Sequence, residues 1–303
     1  SPSPRQFNAK SKGAQEAHEA IRPAGDEFKH PKELKLSGDE KNLYELIWKR
    51  TLACQMADAK KLSMQVKITA GKALFAASGM TITFAGFLRA YGEGKDDPEA
   101  ALDDREVVLP PLAEQDTVKH KQSEVIGHET KPTARFTEAS LIQALEKSGI
   151  GRPSTYASII ATILARSYAR KEGSALVPSY TGFAVVELLE KHFSHMVDYS
   201  FTSTMEEALD QLAQGEQESL PYLKKFYLGK KGLRTQVEEK ESEIDPEESR
   251  QLDAYKDSGM AIRVGRFGPY LILSEPGAKK KDEIRASIPE DISPADLTPE
   301  KLE

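Results

Sequence analysis

Three side chains that suit a phosphate, Arg152, Ser154 and Thr155, stand in the run Gly149-Ile150-Gly151-Arg152-Pro153-Ser154-Thr155-Tyr156-Ala157-Ser158-Ile159-Ile160. A guanidinium fork matches two phosphate oxygens, and short hydroxyls add further donors. Pro153 has a fixed φ and no N–H, so it suits the first position of a helix. The free N–H groups of a helix start, with the positive end of its dipole, favour an anion. The spacing therefore predicts a phosphate grip at a glycine-hinged turn, followed by a helix over 153–166. Local charge agrees: residues 119–172 carry nine Lys and Arg against five Asp and Glu, in a chain of net charge −6 and pI about 5.7. A basic patch on an acidic protein can form a nucleic-acid site.

A second candidate pair, His18 and Arg22, lies in Gln15-Glu16-Ala17-His18-Glu19-Ala20-Ile21-Arg22-Pro23. Four residues apart on a helix, the two share a face, and each can reach one phosphate oxygen. A metalloprotease helix would need histidine where Arg22 stands, and arginine does not ligate zinc, so that chemistry is excluded. A single histidine is more often structural than functional. A third set, Arg263, Arg266, Phe267 and Tyr270, interleaves cations and rings around Gly265-Arg266-Phe267-Gly268-Pro269. Rings stack on bases and cations take phosphates, which suits a single strand; a plain hairpin with its rings in a small core has the same pattern. The sequence holds no Walker A loop, no dinucleotide glycine fingerprint and no Gly-x-Ser-x-Gly elbow. It offers no metal-ligand set.

The elements that must position these residues follow from pattern. A chain of 303 residues, 39% apolar and 30% charged, allows two or three domains with a large solvated surface. No apolar run approaches the roughly 18 residues of a membrane-spanning helix. There is no signal-peptide pattern, and the single Cys54 excludes an intramolecular disulfide or a Cys-rich zinc site, so a cytosolic location is expected. The reading predicts a short helical piece over 14–21 and a helix over 40–56 capped by Ser37 or Asp39. Strands are expected over 62–68, 73–79, 81–87, 106–109 and 117–126, with a charged loop over 92–105. Next come a helix over 138–147 capped by Thr137, the grip and its helix, extended runs over 168–171 and 176–180, and a helix over 181–192. Helix, turn, helix and small hairpin are the order of a winged helix-turn-helix, which often binds nucleic acid through its second helix. A structural helical subdomain has the same order. A continuous helix is expected over 204–229, a linker or solvated helix over 230–252, and a small β unit from two strands over 260–264 and 270–273. The fold class is α+β and multidomain.

In order along the chain, Gln15 to Pro23, then Ala134-Arg135-Phe136-Thr137-Glu138-Ala139-Ser140-Leu141, then Gly149 to Ile160 resemble three successive signature stretches of the type IA DNA topoisomerases. Leu43 to Trp48, Ala53 to Met56, Thr181 to Ala184 and Phe201 to Glu206 look similar to that family as well. The likeness covers residues 13–228, and Gly265 to Tyr270 resembles the single-strand-binding repeats appended to bacterial members. The resemblance implies an enzyme that cuts one DNA strand through a tyrosine, passes another strand and reseals the break. It thereby relaxes negative supercoils with Mg²⁺ and without ATP. It implies residues 1–57 as the helical tail of the tyrosine domain, 58–130 as the β-rich arch that forms the gate, and 131–232 as the winged-helix-like single-strand site. Residues 233–258 would be a linker and 259–303 a small C-terminal β repeat. His18 would assist cleavage and Arg22 would contact phosphate. Arg152, Ser154 and Thr155 would hold the strand backbone, and Tyr156 would not be the nucleophile. The family's acidic metal cluster and its nucleophile stretch have no counterpart in the sequence, so a fragment inactive alone is expected, with the Mg²⁺ ligands elsewhere. The expected partners are single-stranded and negatively supercoiled DNA, bound by a monomer associated with the nucleoid and not with a membrane. A stand-alone single-stranded nucleic-acid-binding module is the rival reading.

Overall fold

The computed structural model describes residues 3–7, 19–25, 27–92, 108–130, 132–252, 260–273 and 283–297. The chain divides between Ala134 and Arg135 into two compact units. Helices and antiparallel sheets alternate in an α+β arrangement.

The first unit is built on helix α1 (Gly38–Gln55), whose first turn carries Asp39 and Glu40 at the positive end of the dipole. The segment before it lies along the helix: the Tyr44 hydroxyl donates to the Lys29 carbonyl at 2.9 Å, and the His30 ring meets Trp48 edge-on at 4.9 Å. Arg5 holds the helix end, donating to the Met56 carbonyl at 2.7 Å and pairing with Asp58 at 2.9 Å. Strands β1 (Lys60–Ala70) and β2 (Ala73–Phe84) then form one long antiparallel hairpin. Its turn places Gly71 at φ +59°, a conformation without penalty only for glycine.

This unit differs from expectation in two ways. The runs expected as separate strands over 73–79 and 81–87 form a single strand through Gly79, which pairs in register with Met64, and it ends at Phe84, before a 3-10 turn over Gly86–Arg89. Nothing at Gly79 demands a break, because its backbone continues the ladder. Second, the described residues 108–130 form no strand, and Val118, Val125 and Ile126 are exposed. An extended run becomes a strand only when a neighbour takes its N–H and C=O groups. The 14–18 part of the expected short helix and the 93–105 part of the expected loop lie outside the described residues.

The second unit opens with α2 (Glu138–Lys147), bounded as expected by Thr137. Thr137 Oγ1 accepts from the Ser140 N–H at 3.1 Å, and Ser140 Oγ accepts from the Thr137 N–H at 2.8 Å, a reciprocal capping box. Thr137→Ala is expected to lower the stability of this unit by about 1 kcal/mol, measured as a shift in denaturant midpoint at constant slope. A midpoint unchanged within error would reject the cap's contribution.

Helix α3 (Tyr156–Ala165) follows the glycine turn, then the hairpin of β3 (Ala169–Glu172) and β4 (Ala175–Pro178). The segment before α2 joins β4, with the Leu176 N–H donating to the Phe136 carbonyl at 2.7 Å. Lys171 pairs with Glu138 at 2.6 Å. Helix α4 (Tyr180–Val197) starts on Ser179, whose Oγ accepts from the Gly182 N–H at 3.0 Å. The helix expected over 204–229 is two, α5 (Tyr199–Gln214) and α6 (Ser219–Tyr227). Gly215 divides them in the left-handed conformation, a standard helix stop that needs no proline.

The residues expected as a linker or a solvated helix contain helix α7 (Leu233–Glu241) and strand β5 (Gln251–Leu252). Strand β5 begins a four-stranded antiparallel sheet in the order β5, β6 (Met260–Gly265), β7 (Gly268–Leu273), β8 (Ile284–Ser287). One row of the ladder reads Leu252, Ile262, Leu271, Ala286 across all four strands. Leu252, Ile262 and Leu271 from that row pack with Tyr180 and Ala184 of α4 and with Ile288 and Leu297. The sheet therefore shares a core with α4, where a separate appended repeat was expected. Burial of Leu252 makes the end of the expected linker part of that core.

Candidate nucleic-acid interface

The Gly149–Thr155 loop joins α2 to α3 and needs both of its glycines. Gly149 and Gly151 have φ +72° and +75°. A side chain at Gly149 would strike Ser203 Oγ at 2.8 Å, and one at Gly151 would press on the Tyr156 ring at 3.0 Å and on Ile159 at 3.1 Å. The loop is thus packed against the start of α3 and against α5.

The helix begins three residues later than the proline predicts. Arg152 to Thr155 form a turn closed by the Thr155 N–H on the Arg152 carbonyl at 2.8 Å. Thr155 Oγ1 accepts from the Arg152 N–H at 2.8 Å. A hydroxyl has taken the donor that the first helical turn would present, so Pro153 sits in the turn and not at the first helical position. Ser154 is exposed at the tip.

Arg152 points inward. Its Nη2 donates to Asp210 Oδ2 at 2.6 Å, and its Nη1 donates to the Gly151 carbonyl at 2.8 Å and lies 3.8 Å from Glu206 Oε2. The side chain keeps 13% of its exposure. The hydrogen bond to Asp210 holds the guanidinium above its ordinary pKa, against the opposing effect of burial. The Gly151 N–H donates to Glu206 Oε1 at 3.1 Å. Tyr156, half-buried against Gly151, has its phenol pushed above the ordinary range, first by burial and then by Glu146. A phenol held protonated in that way is a poor nucleophile.

The outer face of α3 carries Ala157, Ser158, Ala161, Thr162 and Ala165, all exposed, small and uncharged. The Ser158 and Thr162 hydroxyls are turned back on the carbonyls of Thr155 and Ser158, at 2.8 and 2.7 Å. Such a face lets another backbone approach closely. It has no Arg, Lys, Asn or Gln to read base edges in a major groove.

The structure places the remaining predicted residues as follows. His18 lies outside the described residues. Arg22 is exposed and bound to Glu19 at 3.1 and 3.2 Å. Arg263 is half-buried beside its cross-strand neighbour Gln251, to whose side chain it donates at 3.2 and 3.3 Å. Arg266 lies over the Phe267 ring at 5.8 Å, at the turn between β6 and β7, and Phe267 is 97% exposed. Tyr270 is paired with Arg263 across the ladder. The cations and rings thus divide: Arg263 and Tyr270 lie on the sheet, and Arg266 and Phe267 project from its end.

Two features escape the sequence reading. Arg285, on β8, stacks over Tyr270 at 5.8 Å and adds a cation to the same sheet face; its strand is four residues with an unremarkable composition. A cavity of about 610 Å³ among α4 to α7 gathers His195, Phe201, Tyr222 and Phe226 with Lys225, Lys230 and Lys231 at hand. Its rings stack on one another, Tyr222 on Phe226 at 6.2 Å and Phe226 on Phe201 at 6.4 Å. They read equally well as a small helical core, and no local motif marks them.

A family model described as DNA topoisomerase matches residues 2–224, which include α2, α3, the β3–β4 hairpin and the Gly149–Thr155 loop. The chain belongs to the type IA DNA topoisomerase family. It is 50% identical over 302 residues to DNA topoisomerase 1 of Synechocystis sp., covering 100% of this chain and 33% of that protein. It is 52% identical over 303 residues to DNA topoisomerase 1 of Synechococcus elongatus, covering 100% of this chain and 34% of that protein. Among solved structures, full-length topoisomerase I from Thermotoga maritima superposes with a TM-score of 0.67 at 31% identity, over 91% of this chain and 45% of that one. The chain thus spans about a third of the length of the curated relatives it matches. Among the described residues, no helix is long and apolar enough to cross a membrane.

Proposed function

We propose that this chain serves a type IA topoisomerase by holding a single DNA strand for cutting and by walling the gate through which another strand passes. The whole protein would cut one strand of negatively supercoiled DNA through a tyrosine, pass a second strand and reseal the break, acting as a monomer on cytoplasmic, nucleoid DNA. Residues 1–57 would close the tyrosine domain, 58–130 form the arch and 131–232 hold the strand, with the sheet around 259–303 as a second single-strand contact. The observation that carries this reading is the helix-turn-helix whose turn is the grip loop and whose second helix offers a smooth, uncharged face. That face suits the backbone of an unpaired strand better than the edges of a duplex.

Within the reading, Arg152, Ser154 and Thr155 hold the phosphates of the strand at the loop, and Tyr156 supports it. Arg22 exchanges Glu19 for a phosphate oxygen, and His18 assists cleavage. The family's chemistry uses Mg²⁺. Among the described residues, no three His, Cys, Asp or Glu gather where they would hold an ion.

The sheet end gives a test free of folding effects, because Phe267 is almost fully exposed. Phe267→Ala is expected to weaken binding of a fluorescent oligo-dT by about 1–3 kcal/mol, the contribution of one stacked base. Fluorescence anisotropy titrations against oligo-dT and a duplex of equal length measure it. Equal affinity for the two, or an unchanged Kd in the variant, would overturn the reading.

A further inference from the structure

The cation of the grip loop is already engaged by carboxylates. Glu206 and Asp210 stand four residues apart on α5, on one face of that helix. Glu206 accepts the Gly151 N–H at 3.1 Å and approaches the Arg152 guanidinium at 3.8 Å. Asp210 takes Arg152 Nη2 at 2.6 Å. A backbone N–H and a guanidinium converging on a pair of anionic oxygens is the donor set that a phosphate uses. Here a carboxylate has taken that place. Arg152 Nε is buried without a hydrogen-bond partner among the described residues, so one donor of the fork still lacks an acceptor. Two carboxylates against one guanidinium also leave the loop locally negative, which repels an incoming phosphate.

We propose that Glu206 and Asp210 are a phosphate-mimicking latch: they hold Gly151 and Arg152 in the DNA-free chain and yield them to a backbone phosphate when a single strand enters. This rests on the reading of the loop as a single-strand site. The latch keeps the loop folded around Gly149 and Gly151 without a ligand, and it weakens binding by strands that cannot supply a phosphate in the carboxylate's place. A plain brace is the alternative, and the two predict opposite signs. A brace loses grip when its charge is removed; a latch releases it.

Glu206→Gln tests this, because it keeps the side chain's size and the oxygen that accepts the Gly151 N–H while removing one charge. The latch predicts oligo-dT binding tighter by about fivefold, the effect of removing one like charge about 4 Å away in a water-like dielectric. It also predicts a salt dependence steeper by up to about one unit of slope, since no freed carboxylate recaptures a cation. Asp210→Asn should shift both in the same direction, which keeps the test decisive if one variant is destabilised. Weaker or unchanged binding in both variants, while Phe267→Ala still weakens it, would overturn the latch and spare the single-strand reading. No specific binding of oligo-dT by any form, the unaltered chain included, would overturn both.

Discussion

Ile262→Ala is expected to cost the second unit about 2–5 kcal/mol of unfolding free energy, enough to remove much of the stability of an ordinary domain. Ile262 has no exposed surface and sits in the second strand of four, in the middle of the row Leu252, Ile262, Leu271, Ala286. Its other neighbours include Tyr180 and Ala184 on α4. Truncation removes the buried methylenes and leaves a cavity between a sheet and a helix, neither of which can close over it without breaking a ladder or a helical turn. Denaturant unfolding monitored by far-ultraviolet circular dichroism measures the loss. A change under about 1 kcal/mol would mean that the sheet and α4 do not share a core.

That shared core makes a second quantity observable. If the sheet were an independent repeat, Ile262→Ala would melt β5 to β8 alone, and amide exchange in α4 would stay slow. With a common core, the first turns of α4 lose protection together with the sheet. Contacts outside the hydrophobic cluster point the same way, since Arg135, just before α2, pairs with Asp296 near the end of the described chain at 2.8 Å.

Local signals made much of this unit legible. Thr137 marked the start of α2, because a cap is settled by a few adjacent residues. The two loop glycines were legible as a hinge for the same reason. The partners of Arg152 were not: Glu206 and Asp210 lie 54 and 58 residues further on, and a charged helix face looks the same whether it meets solvent or a guanidinium. Charge and glycine composition raised the expectation of a phosphate grip and gave no sign that its arginine is turned inward. The sheet was half legible. Strands β6 and β7 have apolar runs, whereas β5 is two residues long and β8 alternates Ile284, Arg285, Ala286 and Ser287 at the exposed edge. In the first unit, the run expected as a strand over 117–126 had the right composition and forms no strand, because composition cannot reveal whether a neighbour takes its backbone groups.

Gly182→Ala is expected to be as damaging to the geometry of the site as Ile262→Ala is to stability. In the third position of a helix, alanine would ordinarily improve on glycine by up to about 1 kcal/mol. Here the added Cβ would stand 2.3 Å from the Tyr168 carbonyl oxygen and 3.2 Å from its carbon, both backbone atoms that cannot rotate away. That oxygen also accepts the Ser179 N–H at 3.0 Å and lies 3.2 Å from Ser179 Oγ, so the cap of α4 and the entry to the β3–β4 hairpin meet at one point. Relieving the overlap must lift the start of α4 off Tyr168 or displace the β3 strand that follows it. Either movement loosens Tyr180 and Ala184 in the core and shifts the β3–β4 hairpin relative to α3. Overpacking of this kind costs about 1–3 kcal/mol or more, which outweighs the helical preference and reverses the sign of the substitution. Denaturation of the variant beside Gly182→Ser, whose larger side chain should be worse still, checks the steric origin. If the proposed single-strand site is right, oligo-dT titration of the alanine form should show weaker binding even below its unfolding transition, because the displaced β3–β4 hairpin and α3 no longer present one surface. A Gly182→Ala chain as stable as the unaltered one would mean that α4 does not begin against the Tyr168 carbonyl.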